Sequence, residues 1–114
     1  MQRLPDPTRG DYTTTCHFAI MENVNLTVPW YLSLSLAYYE YDVSLVSDHL
    51  YDKLCQMLAL HWKDIEHRHK HLIDVGAVMA GTGFYLKECD LPLIVVSSTK
   101  VMVNHYMKKL DSRS

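Results

Sequence analysis

Two runs of apolar residues at helical spacing, separated by a short break, constrain this chain more than any other feature. Trp30, Leu34, Ala37, Tyr38 and Tyr41 follow one another at steps of four, three, one and three, the spacing of one helix face. Val43-Ser44-Leu45-Val46 breaks the pattern. Leu50, Leu54, Met57 or Leu58, His61 and Ile65 then resume it. Thr27 is placed to cap the first helix, and Pro29 falls in its first turn, where a missing N–H has no partner to lose. Ser47 suits the N-cap of the second, with Asp48 in its first turn favoured by the helix dipole. The spacing predicts a helical hairpin of residues 29–42 and 47–70, its second helix running from about Asp48 to about His69 or His71.

Either side of the hairpin the signals are different. Pro5, Pro7, Gly10 and the run Thr13 to Thr15 predict that residues 1–28 form an arm with little regular structure. Met21 opens a segment that would serve as a start of its own, which makes the first 20 residues dispensable on this reading. Gly76, Gly81 and Gly83 mark a flexible connection after the hairpin. Asp90 and Pro92 then resemble a cap and first turn, leading to a third helix lined by Val95, Val96, Val101, Met102, Tyr106 and Leu110. The β-branched run Ile94-Val95-Val96 is also compatible with a short strand. The expectation is a mostly α, single small domain: an arm over 1–28 and a helical domain over 29–114.

Composition narrows the function. The 114 residues are 48% apolar and 21% charged, enough to bury one core. Lys and Arg number 11 against 13 Asp and Glu, a net charge of 11 − 13 = −2, which offers no basic surplus for duplex DNA. No apolar run nears the roughly 20 residues that span a bilayer, and no secretory leader is evident, so a cytoplasmic protein with no membrane role is expected. Cys16, Cys55 and Cys89 are few and far apart; they read as small core residues in a reducing compartment.

The segment Tyr38 to Asp52 holds the most chemistry. It carries Glu40, Asp42, Asp48 and Asp52 and no lysine or arginine, so its field favours a cation. Asp48 lies three residues before Tyr51 and four before Asp52, which puts them on one helix face. A tyrosine ring can stack on a cationic aromatic ring. Ionised carboxylates can accept hydrogen bonds from sugar hydroxyls.

This segment resembles the N-terminal Ia domain of NAD-dependent DNA ligases, the small helical piece that recognises the nicotinamide mononucleotide (NMN) half of NAD. That family carries Tyr-His, a short acidic turn, then Asp-x-x-Tyr-Asp. The match here is gapless over Tyr38, Tyr39, Asp48, Tyr51 and Asp52, within about 15 to 25 residues of the chain. Tyr39 stands where the family has histidine, and Ser44 where it has a proline. The resemblance implies that Tyr38, Tyr39, Asp48, Tyr51 and Asp52 bind NMN or NAD. The rest of the chain, with His67-Arg68-His69-Lys70-His71 and Gly81-Thr82-Gly83, is similar to small ligase-related proteins of tailed bacteriophages. That second resemblance implies a phage origin, and hence the host bacterial cytoplasm, rather than an activity.

A ligase also needs a Lys-x-Asp-Gly motif to take up AMP, and no lysine here stands in that context. The chain cannot be a ligase by itself, and no catalytic residue is assigned. His67 and His71, four apart, form a two-ligand spacing for zinc if the second helix persists, with Asp64 one turn earlier; any further ligand would have to come from afar, as from His105. The alternative is a polar helix end. Cys55 reads as core, and Gly81-Thr82-Gly83 as a turn more than a phosphate loop. Trp30, Tyr31, Tyr38, Tyr39, Tyr41, Tyr51 and Trp62 read as an interhelical core.

Three functions fit these observations: an NMN- or NAD-binding module, a factor engaging a host replication, repair or defence protein, and an enzyme acting on a nicotinamide nucleotide. The last lacks a placed nucleophile or general base. Ligand binding requires the tyrosines and both carboxylates to converge on one cleft, whereas a protein interaction needs only an exposed patch.

Overall fold

The Ser47 hydroxyl accepts a hydrogen bond from the Leu50 N–H at 3.1 Å, and this cap starts the helix that the sequence pattern predicts there. The computed structural model describes residues 12–113, with side chains through Lys108. It contains five α-helices in that span and no strand: α1 Thr13–Glu22, α2 Thr27–Glu40, α3 Asp48–Leu60, α4 Val75–Met79 and α5 Leu93–Arg113. The protein is mostly α, built around one core.

Helix α2 is the axis of that core. Thr27, Val28, Tyr31 and every residue from Leu32 to Ala37 are buried, so the helix is enclosed on all sides rather than on the single face its spacing suggested. α5 and α3 pack on it, and α4 packs on α3. Thr27 does not cap α2. A 3-10 turn over Val24–Leu26 runs straight into it, and Asn23 caps that turn by accepting from Asn25 N–H at 3.0 Å. Thr27 instead donates its hydroxyl to the Val24 carbonyl at 2.7 Å. At the far end Asp42 takes a φ of 58°, and the Val43 N–H returns to the Ala37 carbonyl at 2.9 Å. Aspartate tolerates this left-handed conformation better than most residues.

Three expectations are corrected. The arm assigned to residues 1–28 contains α1, which buries Cys16 and Ile20 completely. Its helix is sustained by tertiary contacts: the Tyr12 N–H reaches the Leu45 carbonyl at 3.3 Å and the Ser47 N–H reaches the Thr13 hydroxyl at 3.0 Å. Residues 1–11 lie outside the described part. The second hairpin helix ends at Leu60, not near residue 70. Asp64 and Ile65 N–H groups fold back on the His61 carbonyl, and Ile65 drops into the core. Lys70 then holds this turn, donating to the Trp62 and Ile65 carbonyls at 2.6 and 2.9 Å with its ammonium 4.7 Å from the Trp62 ring centre. Gly76 belongs to the short helix α4, capped by Asp74, rather than to a loose connection.

The third helix is present, and Ile94-Val95-Val96 is helical rather than a strand. Val95, Val96 and Tyr106 are buried, and Thr99 closes its hydroxyl on the Val95 carbonyl at 2.8 Å. Asp90 falls in a 3-10 turn over Glu88–Asp90, and the Pro92 carbonyl receives the Val95 and Val96 N–H groups instead. Among the described residues no helix is long and apolar enough to cross a membrane.

Candidate functional site

The end of α2, the turn after it and the start of α3 frame a recess of about 180 Å3. Tyr38, Tyr39, Asp48, Tyr51 and Asp52 all line it. The five residues singled out in the sequence therefore share one cavity. Leu34, Leu45 and Val46 form its apolar base, and Ser44 and Gly81 complete the wall.

Each wall is positioned by its own local structure. The Ser47 cap fixes the first turn of α3, which projects Asp48, Tyr51 and Asp52 along one side. Both carboxylates sit on exposed residues at the rim. Tyr51 reaches inward, with its hydroxyl 2.7 Å from that of buried Ser35 and its ring stacked at 6.2 Å on Tyr31. Burial pushes its phenol well above the ordinary range, and the Ser35 contact only partly offsets this. Tyr51 is thus a neutral, fixed ring. Tyr38 is the exposed counterpart, at 51%, and meets Tyr39 edge-on at 4.8 Å.

Sequence reasoning missed the third wall. The segment Gly81-Thr82-Gly83 folds over the tyrosines: the Thr82 hydroxyl is 3.0 Å from that of Tyr39, and the Thr82 carbonyl accepts from Tyr31 at 2.6 Å. Gly81 adopts a φ of 75°, a left-handed turn that glycine takes without steric cost. Its glycines were visible in the sequence, but nothing local tied them to a site 40 residues away. Tyr85 supports the same loop from behind, 3.4 Å from the Tyr31 hydroxyl.

The aromatic residues divide between core and site. Tyr31 is fully buried, whereas Trp30, Tyr41, Tyr51 and Trp62 pack around the core and Tyr38 stays exposed. Tyr41 donates to Glu88 next to Glu40, which accepts from the Glu88 N–H at 3.2 Å, so the Glu88–Asp90 turn is tied to the end of α2. The Tyr41 hydroxyl and Lys100 hold the Glu88 carboxyl below its usual range.

The zinc spacing does not survive the fold. With α3 ended at Leu60, His67 and His71 no longer share a helix face. His67 Nδ1 is already an acceptor for the His69 N–H at 3.1 Å, and His105 lies against the Tyr12 ring at 6.2 Å. Among the described residues no group of three or more His, Cys, Asp or Glu is arranged to hold a metal ion. Cys55 is buried beneath the recess, and burial raises its thiol to about 12, which keeps it protonated. Cys89, by contrast, is exposed, so the expectation of core cysteines applies to Cys16 and Cys55 alone.

No protein-family model matches this sequence, and no curated protein or solved structure matches it at a significant level.

Proposed function

We propose that this protein binds a nicotinamide nucleotide, NMN or NAD, without transforming it. One observation carries the reading: Tyr38, Tyr39, Asp48, Tyr51 and Asp52 line a single recess of about 180 Å3. The positively charged nicotinamide ring stacks on the exposed face of Tyr38 or on the fixed ring of Tyr51, an attraction of about 0.5–2 kcal/mol. Asp48 and Asp52 at the rim accept hydrogen bonds from the ribose hydroxyls. Ser35 occupies the Tyr51 hydroxyl, so the ring and not the phenol meets the ligand. Kinship with the Ia domain of NAD-dependent DNA ligases, and a phage accessory role, belong to the same proposal and rest on the motif from Tyr38 to Asp52.

Calorimetric titration with NMN and with NAD, in chelator and at moderate salt, tests this reading. Saturable heat that Asp52→Asn weakens supports it. No heat at millimolar ligand overturns it and leaves the hairpin as a scaffold.

A second reading has its own observation. Leu93, Ile94 and Val101 of α5 are 78%, 65% and 66% exposed, an apolar content suited to a protein partner such as a host replication, repair or defence factor. Pull-downs with and without charged substitutions at Leu93 and Val101 separate it from ligand binding.

A further inference from the structure

A second groove, between α2, α5 and the loop after α3, has chemistry opposite to that of the tyrosine recess. It measures about 250 Å3, and among the described residues no carboxylate lines it. Its polar wall is His67, Arg68 and His69, facing Ser33 of α2 and Ser98 of α5. Pro29, Ile94 and Val95 make the remainder apolar.

Three details make this a receptor rather than a patch of surface. Ser33 is 6% exposed, yet its hydroxyl makes no hydrogen bond to any described residue. A buried hydroxyl without a partner costs free energy, which a ligand oxygen at this wall would recover. His67 Nδ1 accepts from the His69 N–H at 3.1 Å, so in the neutral ring the proton sits on Nε2, leaving a donor. Arg68 is exposed and forms no ion pair among the described residues, so its guanidinium is available to a bidentate oxyanion. Lys70 does not compete, because the Trp62 and Ile65 carbonyls hold it.

From this set of donors we infer that the groove binds a small phosphomonoester, with its phosphoryl group on Arg68, His67 and Ser33 and an apolar body along Pro29, Ile94 and Val95. The site is separate from the tyrosine recess and shares no lining residue with it.

Titration of the full chain with phenyl phosphate, followed by amide NMR shifts, tests the inference, with phenol and inorganic phosphate as controls. The expected result is saturable shifts at Ser33 and His67–His69, with phenyl phosphate binding more tightly than either control. Arg68→Gln weakens that binding about tenfold or more, the usual consequence of losing a charge-assisted contact. Ser33→Ala also weakens it, without lowering the melting temperature, because its hydroxyl supports no protein contact. Asp52→Asn leaves it unchanged. Shifts that do not saturate, equal binding of phenol, or an affinity indifferent to Arg68→Gln would each overturn the assignment.

Discussion

The hydroxyls of Tyr51 and Ser35 lie 2.7 Å apart across the α2–α3 interface, and Gly83 closes over both. A Cβ added at Gly83 would stand 2.3 Å from Ser35 Oγ, 2.6 Å from Ser35 Cβ and 3.1 Å from the Tyr51 hydroxyl. The absent side chain is therefore a requirement of the site wall.

Gly83→Ala consequently overpacks this junction. The expected cost is about 1–3 kcal/mol. Thermal unfolding should show a fall of several degrees, since about 1 kcal/mol moves the midpoint of a domain this size by roughly 4 °C. An unchanged midpoint would mean that the loop sits farther from α2 than this contact allows.

Replacing Tyr51 and Asp52 together with alanine should abolish nucleotide binding while leaving helicity by circular dichroism nearly unchanged. Tyr51 also braces Ser35, so the cleaner variants are at the rim. Tyr38→Ala and Asp52→Asn touch exposed residues and should weaken NMN binding about tenfold each with little change in melting temperature. Wild-type affinity in both would remove the recess as the ligand site.

Ile20 is fully buried in α1. Ile20→Ala should cost about 2–5 kcal/mol. Deleting residues 1–20 should lower the melting temperature by many degrees, contrary to the dispensable arm that the sequence suggested. A truncated protein as stable as the full chain would show that α1 adds nothing to the core.

Burial, with His69 and Arg68 nearby, lowers the His67 pKa from its ordinary 6.5. A group with a depressed folded pKa contributes stability that is present above its unfolded value and lost as pH falls through the folded one. Stability should therefore decline as pH drops below about 6.5, and part of that slope should vanish in His67→Gln. Chemical denaturation at successive pH values measures it. An identical slope in the variant would assign the titration elsewhere.

The break after α2 and the start of α3 were legible because their signals are local. Ser47 caps its own helix, and Asp48, Tyr51 and Asp52 share a face by spacing alone. α1 was not legible, because three threonines are weak helix formers and only Cys16 and Ile20 mark its buried side. The end of α3 was hidden for another reason. His61 and Ile65 continue the helical spacing, but Lys70 captures the carbonyls that a longer helix would have used.

From the sequence alone came the mostly α character, the break between α2 and α3, and the shared helix face of Asp48, Tyr51 and Asp52. These depend on periodicity and capping, which operate within a turn or two of chain. Tertiary structure decided what long-range contact decides. It enclosed α2 on every side, held α1 against the turn before Ser47, folded Thr82 over Tyr31 and Tyr39, and ended α3 before His67 and His71. Those outcomes depend on partners up to 51 residues apart, whose pairing becomes favourable only when the whole core forms.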